Sequence, residues 1–336
     1  MKKISLNDKI FIAGSTGMVG KAIKKILLTN NYGLKENCGE IFAPSRKELN
    51  LTNKNMLEDW FKYKKPTVVI LAAAKVGGIL ANSKYPTDFL LENLKIQTNV
   101  IEASWKYGVK RFLFLGSSCI YPKYAEQPIK EESLLTGALE CTNQWYAIAK
   151  IAGIKLCEAL RIQYNFDTIS LMPTNLYGPG DNYHSDNSHV FASFIKKFYQ
   201  AAKSNIPTVT CWGTGKPFRE FMHVDDLASA VLYVLENWDP TSKEAPLDSS
   251  GKPLNLLNVG TGIDISIKDL AYQISKEVGY KGEIIWDINK PDGTLRKRLD
   301  VSRINRLGWV AKTTLKKGIK LTLESYINEI EKIKIE

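Results

Sequence analysis

The chain has 336 residues, of which 44% are hydrophobic and 24% are charged, and its formal net charge is +11. This composition is typical of a globular protein, and the length is enough for two domains or one large one. The lysines are scattered or paired and are not interleaved with aromatic residues, so the positive charge does not predict a nucleic-acid surface. It favours attraction for anionic small ligands.

Membrane, disulfide-rich and zinc-binding classes find no support in the sequence. No apolar run approaches the roughly 20 residues of a membrane helix, and the run near the N-terminus is too short for a signal peptide. The five cysteines are irregularly spaced and form no CxxC pair, which indicates neither a disulfide framework nor a zinc site. We therefore expect a cytoplasmic protein that binds no metal and no membrane.

Short β-branched runs alternate with helical stretches as far as Gly178. Strands are predicted in KIFIAG, EIFAPS, PTVVILAAA, VKRFLFLGSS and DTISLMPTNLYG, with helices between them. The alternation predicts an α/β fold, a Rossmann-type doubly wound parallel sheet with helices on both faces. We expect a smaller α/β substrate-binding lobe over the carboxyl edge of this sheet. The predicted Rossmann domain comprises residues 1–175 plus roughly 220–262, and the smaller lobe roughly 176–219 plus 263–336.

The segment AGSTGMVG directly follows the first predicted strand and opens the first predicted helix. Its glycines, Gly14, Gly17 and Gly20, allow a tight turn and the approach of a pyrophosphate to the helix N-terminus. The spacing is GxxGxxG rather than GxGxxG, and Thr16 stands in the middle slot of the usual fingerprint. The placement between strand and helix predicts a dinucleotide site.

The end of the second predicted strand, APSRKEL, discriminates between cofactors. An acidic residue there usually binds the ribose hydroxyls of NAD, and an arginine accommodates the 2′-phosphate of NADP. Here no acid stands at the strand tip, and Arg46 and Lys47 follow at once. The sequence therefore predicts NADPH.

The segment WYAIAKIAG carries Tyr146 and Lys150, which stack on one face of a helix because they are four residues apart. An ammonium beside a phenol favours the phenolate, so we expect the pKa of Tyr146 to be lowered from its usual value of about 10. Such a tyrosine would exchange a proton near neutral pH.

At this point the sequence resembles the extended short-chain dehydrogenases/reductases, in their nucleotide-sugar branch. The resemblance covers nearly the whole chain and includes the segments NLKIQTNVIEA, MPTNLYGPG and REFMHVDD. It implies that Ser117, Tyr146 and Lys150 act with a nicotinamide on a carbonyl group.

The segment FLFLGSSCIYPK places a thiol, Cys119, two residues after Ser117. If the chain stays extended after Gly116, Ser117 and Cys119 point the same way, toward the same sugar ring. A 4-keto sugar has acidified C–H bonds at C3 and C5, and a thiol can serve as the base that removes these protons. An epimerase also needs an acid, and His189 opens the apolar helix VFASFIKKF. We interpret His223 as structural, since Asp225 and Asp226 after it are typical of a helix cap.

Seven segments together are similar to the GDP-L-fucose synthase family: AAAKVGGI, LGSSCIYPK, YAIAKIAGIKLCE, MPTNLYGPGDN, NSHV, REFMHVDD and KPDGTLRK. This resemblance implies 3,5-epimerisation and 4-reduction of a GDP-linked 4-keto-6-deoxy sugar, with Cys119 as base and His189 as acid. It implies contacts with the GDP-sugar at Lys197, Trp212, Arg219 and Asp292. The cofactor contacts it implies are Gly14, Ser15, Thr16, Gly17, Met18, Val19, Gly20, Arg46, Leu115, Gly116, Ser117, Ser118, Lys150, Pro173, Thr174, Asn175, Leu176 and His189.

Two alternatives remain open from the sequence. The enzyme could act on a 6-deoxy-heptose, because Gln144 and Trp145 stand where a smaller or acidic neighbour of the tyrosine is expected. A regulator that senses NADP without turnover would keep the fold but has no need of a tuned phenol. The family resemblance further implies a homodimer joined through the helices near 92–107 and 146–164.

Overall fold

The structure is a computed structural model that describes residues 2–184, 188–290 and 292–335. Its strands are β1 (Lys9–Ala13), β2 (Glu40–Phe42), β3 (Val68–Leu71), β4 (Arg111–Leu115), β5 (Thr168–Pro173), β6 (Asn175–Tyr177), β7 (Thr208–Trp212), β8 (Phe218–His223), β9 (Leu256–Val259), β10 (Asp264–Ser266), β11 (Glu283–Asp287) and β12 (Arg296–Lys297). Its helices are α1 (Met18–Thr29), α2 (Lys54–Lys64), α3 (Ile79–Lys84), α4 (Pro86–Lys106), α5 (Gln144–Tyr164), α6 (Val190–Lys203), α7 (Val224–Asn237), α8 (Ile267–Val278), α9 (Ser302–Leu307) and α10 (Leu315–Ile335).

The main sheet has six strands in the order β2-β1-β3-β4-β5-β9. Every pairing in it is parallel. Helix α1 packs against α7, whereas α4 packs against α2 and α5. From β1 the chain goes to β2 on one side and then to β3 on the other, so the strand order reverses there. The predicted doubly wound parallel sheet is confirmed.

The local sequence explains these elements. All four residues of Val68–Leu71 are buried, as expected for a parallel strand covered on both faces. Helix α1 buries Ile23 and Leu27 on the face that its apolar periodicity predicts. The Oδ1 of Asn53 accepts a hydrogen bond from the N–H of Met56 at 3.1 Å and caps α2 in the usual way.

The segment DTISLMPTNLYG was expected to form one strand and forms two. Strand β5 ends at Pro173, opposite Val259 of β9, and β6 begins at Asn175 and pairs with β8. Between them, the Oγ1 of Thr174 donates to the carbonyl oxygen of Glu220 at 3.1 Å. The chain therefore passes from the main sheet to a second sheet within one residue.

Strand β8 is the centre of that second sheet, with β6 and β12 parallel to it and β10 antiparallel. Strands β7 and β11 form a separate parallel pair. Glu220 of β8 is fully buried. Its carboxylate accepts hydrogen bonds from the backbone N–H groups of Thr261, Gly262 and Leu299 at 2.6, 2.8 and 2.8 Å. These bonds hold the loop after β9 and the segment after β12 against β8.

Buried apolar side chains form two clusters. The larger surrounds the main sheet and includes Ile304 and Trp309 from the C-terminal part of the chain. The smaller joins α6 and α8 to Ile319 and Tyr326 of α10. Two cores are what two lobes would need, and the boundaries given above stay a prediction.

Among the described residues, no helix is long and apolar enough to cross a bilayer. The same residues contain no cluster of three or more His, Cys, Asp or Glu side chains suited to a metal ion. All five cysteines are free thiols.

The central strand β3 gives a test of the core. Ile70 is 0% exposed, and we expect Ile70→Ala to lower the free energy of unfolding by about 2–5 kcal/mol because it leaves a cavity. Ile206, 44% exposed, provides the control, and Ile206→Ala should change the stability by less than about 1 kcal/mol. Urea denaturation measures both variants; equal losses would contradict the assignment of β3 to the core.

Candidate active site

The turn between β1 and α1 is too tightly packed for side chains at two of its glycines. Gly14 has a φ of +92°, and a Cβ there would lie 2.7 Å from the backbone of Ala73 after β3. A Cβ at Gly20 would lie 2.1 Å from the carbonyl oxygen of Gly14. The Oγ of Ser15 donates to the carbonyl oxygen of Pro44 at 3.0 Å. These contacts bring the ends of β1, β2 and β3 together at the point where doubly wound sheets bind ligands.

Gly17 is not required by packing. A Cβ there would lie 3.6 Å from its nearest neighbour, an ordinary contact. Gly17 is also the N-cap residue of α1, and no side chain among the described residues caps that helix. A ligand that approaches the uncapped N–H groups explains the glycine, and the pyrophosphate of a dinucleotide fits this cradle. The predicted contacts Thr16, Met18 and Val19 lie in the same turn or in the first turn of α1.

Arg46 lies in the loop after β2, and its side chain is 75% exposed. Its Nη2 donates to Glu92 at 3.1 Å, and Glu92 also pairs with Lys75 at 3.2 Å. Exposed ion pairs of this kind contribute little free energy. Exchanging Glu92 for a cofactor phosphate would therefore cost little, and the position fits the predicted contact with NADPH.

The segment after β4 does not stay extended. Strand β4 pairs with β5 only as far as Leu115, and Ser118–Ile120 then form a 3-10 turn. The Oγ of Ser117 caps this turn and accepts a hydrogen bond from the N–H of Cys119 at 3.3 Å. The expectation of an extended chain after Gly116, in which Ser117 and Cys119 would point the same way, is therefore wrong. Once the strand ladder ends, the backbone N–H groups need new partners, and the turn supplies them.

Tyr146 lies in the first turn of α5 and Lys150 lies one turn later. The Nζ of Lys150 donates to the carbonyl oxygen of Leu115 at 2.8 Å and is 5.8 Å from the Tyr146 ring centroid. Burial lowers the pKa of Lys150 to about 8. Burial also raises the pKa of Tyr146, the charge of Cys119 raises it further, and a hydrogen bond from Ser117 lowers it. The prediction of a lowered Tyr146 pKa is wrong for this structure, because burial dominates and the ammonium faces a carbonyl oxygen.

The Cys119 thiol has nitrogen donors from two distant segments. The Nδ2 of Asn143 and the Nζ of Lys297 each lie 3.5 Å from its Sγ. Lys297 stands opposite Arg219 in the pairing of β12 with β8. Burial lowers the pKa of Arg219, and the negative charges of Cys119, Glu140 and Asp292 raise it. The thiol therefore lies where the start of α5 meets the second sheet.

His189 is the N-cap residue of α6, and no side-chain hydrogen bond caps the helix there. The residue is exposed, yet the surrounding protein lowers the pKa of its imidazole. Asn187 of the NSHV segment lies outside the described residues. His223 caps α7, since its Nδ1 accepts from the N–H of Asp225 at 3.3 Å; its structural role is confirmed. The cap is His223 itself and not Asp225 or Asp226.

The four predicted GDP-sugar contacts lie around β7 and β8. Trp212 ends β7 and is 50% exposed, and the Nζ of Lys197 lies 5.8 Å from its ring centroid. Asp292 accepts hydrogen bonds from the N–H and Oγ1 of Thr214 at 2.9 and 2.6 Å. The Nη1 of Arg219 donates to the carbonyl oxygen of Phe218 at 2.7 Å. An aromatic face beside cations suits a nucleotide base and its phosphates.

Sequence reasoning missed three residues of the cleft beside Cys119. Asn143, Lys297 and Glu140 line it together with Cys119. Glu140 pairs with Lys123 at 3.0 Å. The only sequence signal for Lys297 was its place in KPDGTLRK, and Asn143 stands in an ordinary N-cap position before α5. None of the three carries a distinctive pattern of its own.

Comparison with known proteins places this chain in a family. The family described as "NAD dependent epimerase/dehydratase family" matches residues 10–245. GDP-L-fucose synthase 1 of Arabidopsis thaliana is 48% identical over 97% of this chain and 96% of its own length. GDP-L-fucose synthase of Escherichia coli (strain K12) is 47% identical over 97% of this chain and 99% of its own length.

Two solved structures are also similar to the chain over nearly its whole length. A GDP-6-OMe-4-keto-L-xylo-heptose reductase from C. jejuni has a TM-score of 0.88, with 36% identity over 97% of this chain and 99% of its own. A GDP-L-fucose synthetase from Naegleria fowleri, solved with NADP bound, has a TM-score of 0.84 and 25% identity over 98% of this chain and 96% of its own.

The chain belongs to the NAD dependent epimerase/dehydratase family, whose members in the nucleotide-sugar branch are extended short-chain dehydrogenases/reductases. Within that family, its full-length relatives at nearly half identity are GDP-L-fucose synthases. The family resemblance given by the sequence is confirmed.

The glycine turn gives a test of cofactor binding. Gly17→Val should weaken NADPH binding by about tenfold or more, since the new side chain would occupy the cradle at the helix N-terminus. The melting temperature without cofactor should stay close to that of the unchanged protein, because the chain leaves room at Gly17. Gly20→Val is the matched control and should instead destabilise the fold. A Gly17→Val protein that binds NADPH normally would overturn the assignment.

Proposed function

We propose that this chain is a GDP-L-fucose synthase that uses NADPH to epimerise GDP-4-keto-6-deoxy-D-mannose at C3 and C5 and to reduce it at C4. The observation that carries the proposal is the position of Cys119. It lies beside Ser117 and Tyr146, which suit a carbonyl, and within 3.5 Å of two nitrogen donors. A plain reductase needs only Ser117 and Tyr146 at the carbonyl, and the thiol supplies the base that an epimerase requires in addition.

In the proposed epimerisation, the Cys119 thiolate removes a proton from the carbon beside the carbonyl. The C–H bond breaks, an S–H bond forms, and the electron pair moves onto the carbonyl oxygen as an enolate. Ser117 and Tyr146 donate hydrogen bonds to that oxygen. His189 then protonates the carbon from the other face, which inverts the centre. The Cys119 thiol then releases its proton to solvent and His189 takes one from solvent, so that the same sequence at the second carbon completes the epimerisation.

In the proposed reduction, bound NADPH supplies the hydride that reduces C4. Tyr146 gives its proton to the C4 oxygen, so that the carbonyl becomes a hydroxyl. Ser117 orients the carbonyl. Lys150 holds the ribose of the cofactor, and its ammonium can replace the phenolic proton. Cys119 takes no part in the proposed reductive step.

The nucleotide part of the substrate fits the cations and the aromatic face around β7 and β8. Lys197 and Arg219 suit a pyrophosphate, with Arg219 offering two-pronged geometry. Trp212 offers a flat face to the base. Asp292 would accept hydrogen bonds from the nucleotide, in exchange for those of Thr214.

The proposal includes a homodimer in the cytoplasm. Helices α4 and α5 pack against each other and still expose apolar side chains, among them Leu91, Trp105 and Ile148 at 47%, 36% and 40%. These side chains support an interface through the helices near 92–107 and 146–164. The five free thiols fit a reducing compartment.

The role of the thiol is tested in heavy water with GDP-4-keto-6-deoxy-D-mannose and NADPH. The unchanged enzyme should oxidise NADPH and place deuterium at two carbons of the product. Cys119→Ser should lose deuterium uptake by about 100-fold or more, because a hydroxyl is a far weaker base, while its affinity for NADPH stays the same. Mass analysis of the product and NADPH absorbance follow the two steps separately.

The controls separate the alternatives. Tyr146→Phe should reduce NADPH oxidation far more than deuterium uptake, since the phenol supplies the proton at C4 whereas Ser117 still donates to the enolate oxygen. Normal uptake of deuterium in Cys119→Ser would refute the role of the thiol. Oxidation by the unchanged enzyme without any deuterium would indicate a plain reductase. A requirement for a 4-keto-heptose substrate would place the chain with the heptose reductases, to one of which it is 36% identical.

Arg46 is the proposed determinant of cofactor choice. Arg46→Ala should weaken NADPH binding by about tenfold while leaving NADH binding nearly unchanged, since only NADPH carries the 2′-phosphate. Titration of each cofactor against the protein measures both affinities. Lys35→Ala, which removes another basic side chain, is the control and should affect neither. Equal weakening of both cofactors by Arg46→Ala would contradict a contact with the 2′-phosphate.

A further inference from the structure

Asn143 occupies a capping position but does not cap its helix. It is the N-cap residue of α5, and its side chain makes no capping hydrogen bond. Asn53 and Ser266, at the N-caps of α2 and α8, both accept from a backbone N–H of the following turn. The amide of Asn143 instead faces Cys119, with its Nδ2 3.5 Å from the sulfur. The chain therefore gives up an ordinary cap in favour of a contact with the thiol.

The other end of the same amide is open. The Oδ1 of Asn143 is buried and has no hydrogen-bond partner among the described residues. A buried acceptor without a partner lowers stability, so such atoms in native proteins usually mark a place where a ligand or water binds. The cleft that contains Asn143 is lined by Cys119, Lys123, Glu140 and Lys297. These groups match a polyhydroxylated substrate rather than an apolar one.

We propose that Asn143 is a further catalytic residue of the epimerisation: its N–H donates to the Cys119 sulfur, and its open carbonyl oxygen accepts a hydrogen bond from a hydroxyl of the bound sugar. The inference rests on the proposed function, because it assigns a role in the same reaction. The amide thereby joins the base to the ring from which the base removes protons. One sulfur has to serve two ring carbons, and this link fixes its position relative to the sugar.

Asn143 and Lys297 act differently on the sulfur. Lys297 brings a charge on a flexible side chain and stands on β12, beside Arg219. Asn143 stands at the start of the rigid helix that carries Tyr146, and a neutral amide is planar and directional. Asn143 therefore sets the distance between the thiol and the carbonyl donors, while Lys297 contributes charge. Removal of Asn143 should impair proton abstraction and spare the reduction.

Two substitutions test the two ends of the amide. Asn143→Ala removes both the donor and the acceptor. Asn143→Asp keeps the shape and the acceptor but replaces the donor with a carboxylate oxygen, which repels a thiolate. We expect each to lower deuterium uptake at C3 and C5 by about 10- to 100-fold, the effect of losing one hydrogen bond to a charged group. The reduced product should then retain the original configuration at these carbons.

A second measurement follows the sulfur without substrate. Alkylation of Cys119 by iodoacetamide at neutral pH, located by peptide mass analysis, should be slower in both variants than in the unchanged enzyme. Alkylation of the exposed Cys141 is the internal reference and should keep its rate. Gln144→Ala, at the adjacent position, is the matched control and should change neither measurement. NADPH affinity should be the same in all variants, and none should melt at a lower temperature, because Asn143 makes no capping bond.

The outcomes are distinguishable. If the unchanged enzyme takes up no deuterium, the proposed function fails and this inference with it. If the unchanged enzyme takes up deuterium and Asn143→Ala does so equally fast, only the role of Asn143 is overturned. Normal deuterium uptake by Asn143→Asp would show that the N–H donor is not needed and would also overturn it. Unchanged alkylation of Cys119 in both variants would refute the contact with the sulfur.

Discussion

The buried carboxylate of Glu220 holds the two halves of the site in register. The carboxylate accepts hydrogen bonds from backbone N–H groups of the loop after β9 and of the segment after β12. The backbone carbonyl oxygen of Glu220 accepts a hydrogen bond from the Oγ1 of Thr174, where the chain leaves the main sheet. Burial raises the pKa of Glu220, and these backbone hydrogen bonds oppose the rise. Strand β12 has only two residues, both paired with β8, and the bond from the N–H of Leu299 to Glu220 extends this attachment. Lys297 reaches the thiol because β12 is held there.

A second polar network fixes the turn that carries the thiol. The hydroxyl of Tyr121 donates to the Oδ1 of Asn258 in β9 at 2.6 Å. The backbone N–H of Asn258 donates in turn to the buried Glu131 at 3.0 Å, and Glu131 pairs with Arg303. Each of these groups has a hydrogen-bond or ion-pair partner, which is the condition under which buried polar groups rigidify a structure. The turn after β4 is therefore tied to the sheet at both ends.

The parts of the fold that could be predicted are those set by local sequence. Strand β3 and helix α1 follow from runs of apolar residues and their spacing, and the glycine turn follows from its place between a strand and a helix. The break at Thr174 could not be predicted, because DTISLMPTNLYG reads as one strand and β6 is drawn away from β5 by its pairing with the distant β8. The same holds for the turn at Ser118–Ile120, which forms where a neighbouring strand stops.

Some residues of the candidate site could be predicted from the sequence and others could not. The predicted residues Ser117, Tyr146 and Lys150 lie close together because two adjacent elements carry them. The pKa of Tyr146 was predicted in the wrong direction, since spacing along a helix reveals a neighbouring lysine but not the burial around the phenol. Asn143 and Lys297 could not be predicted as site residues, because only the fold brings them into contact with a sulfur that is distant in sequence.

The two proposed reactions draw on different parts of the structure and can therefore be lost separately. The groups proposed for the reduction stand in the turn after β4 and on α5, at the carboxyl edge of the main sheet, and no residue of the second sheet is among them. The surroundings of the thiol need both, since Asn143 precedes α5 and Lys297 stands on β12. A change in β12, or in the bonds of Glu220 that hold it, can therefore weaken epimerisation and leave the reductive groups in place. One solved relative with nearly the same fold bears the name of a reductase alone. The physical reason for such a difference should be sought first at the junction of the two sheets, because a change there need not disturb the cofactor site.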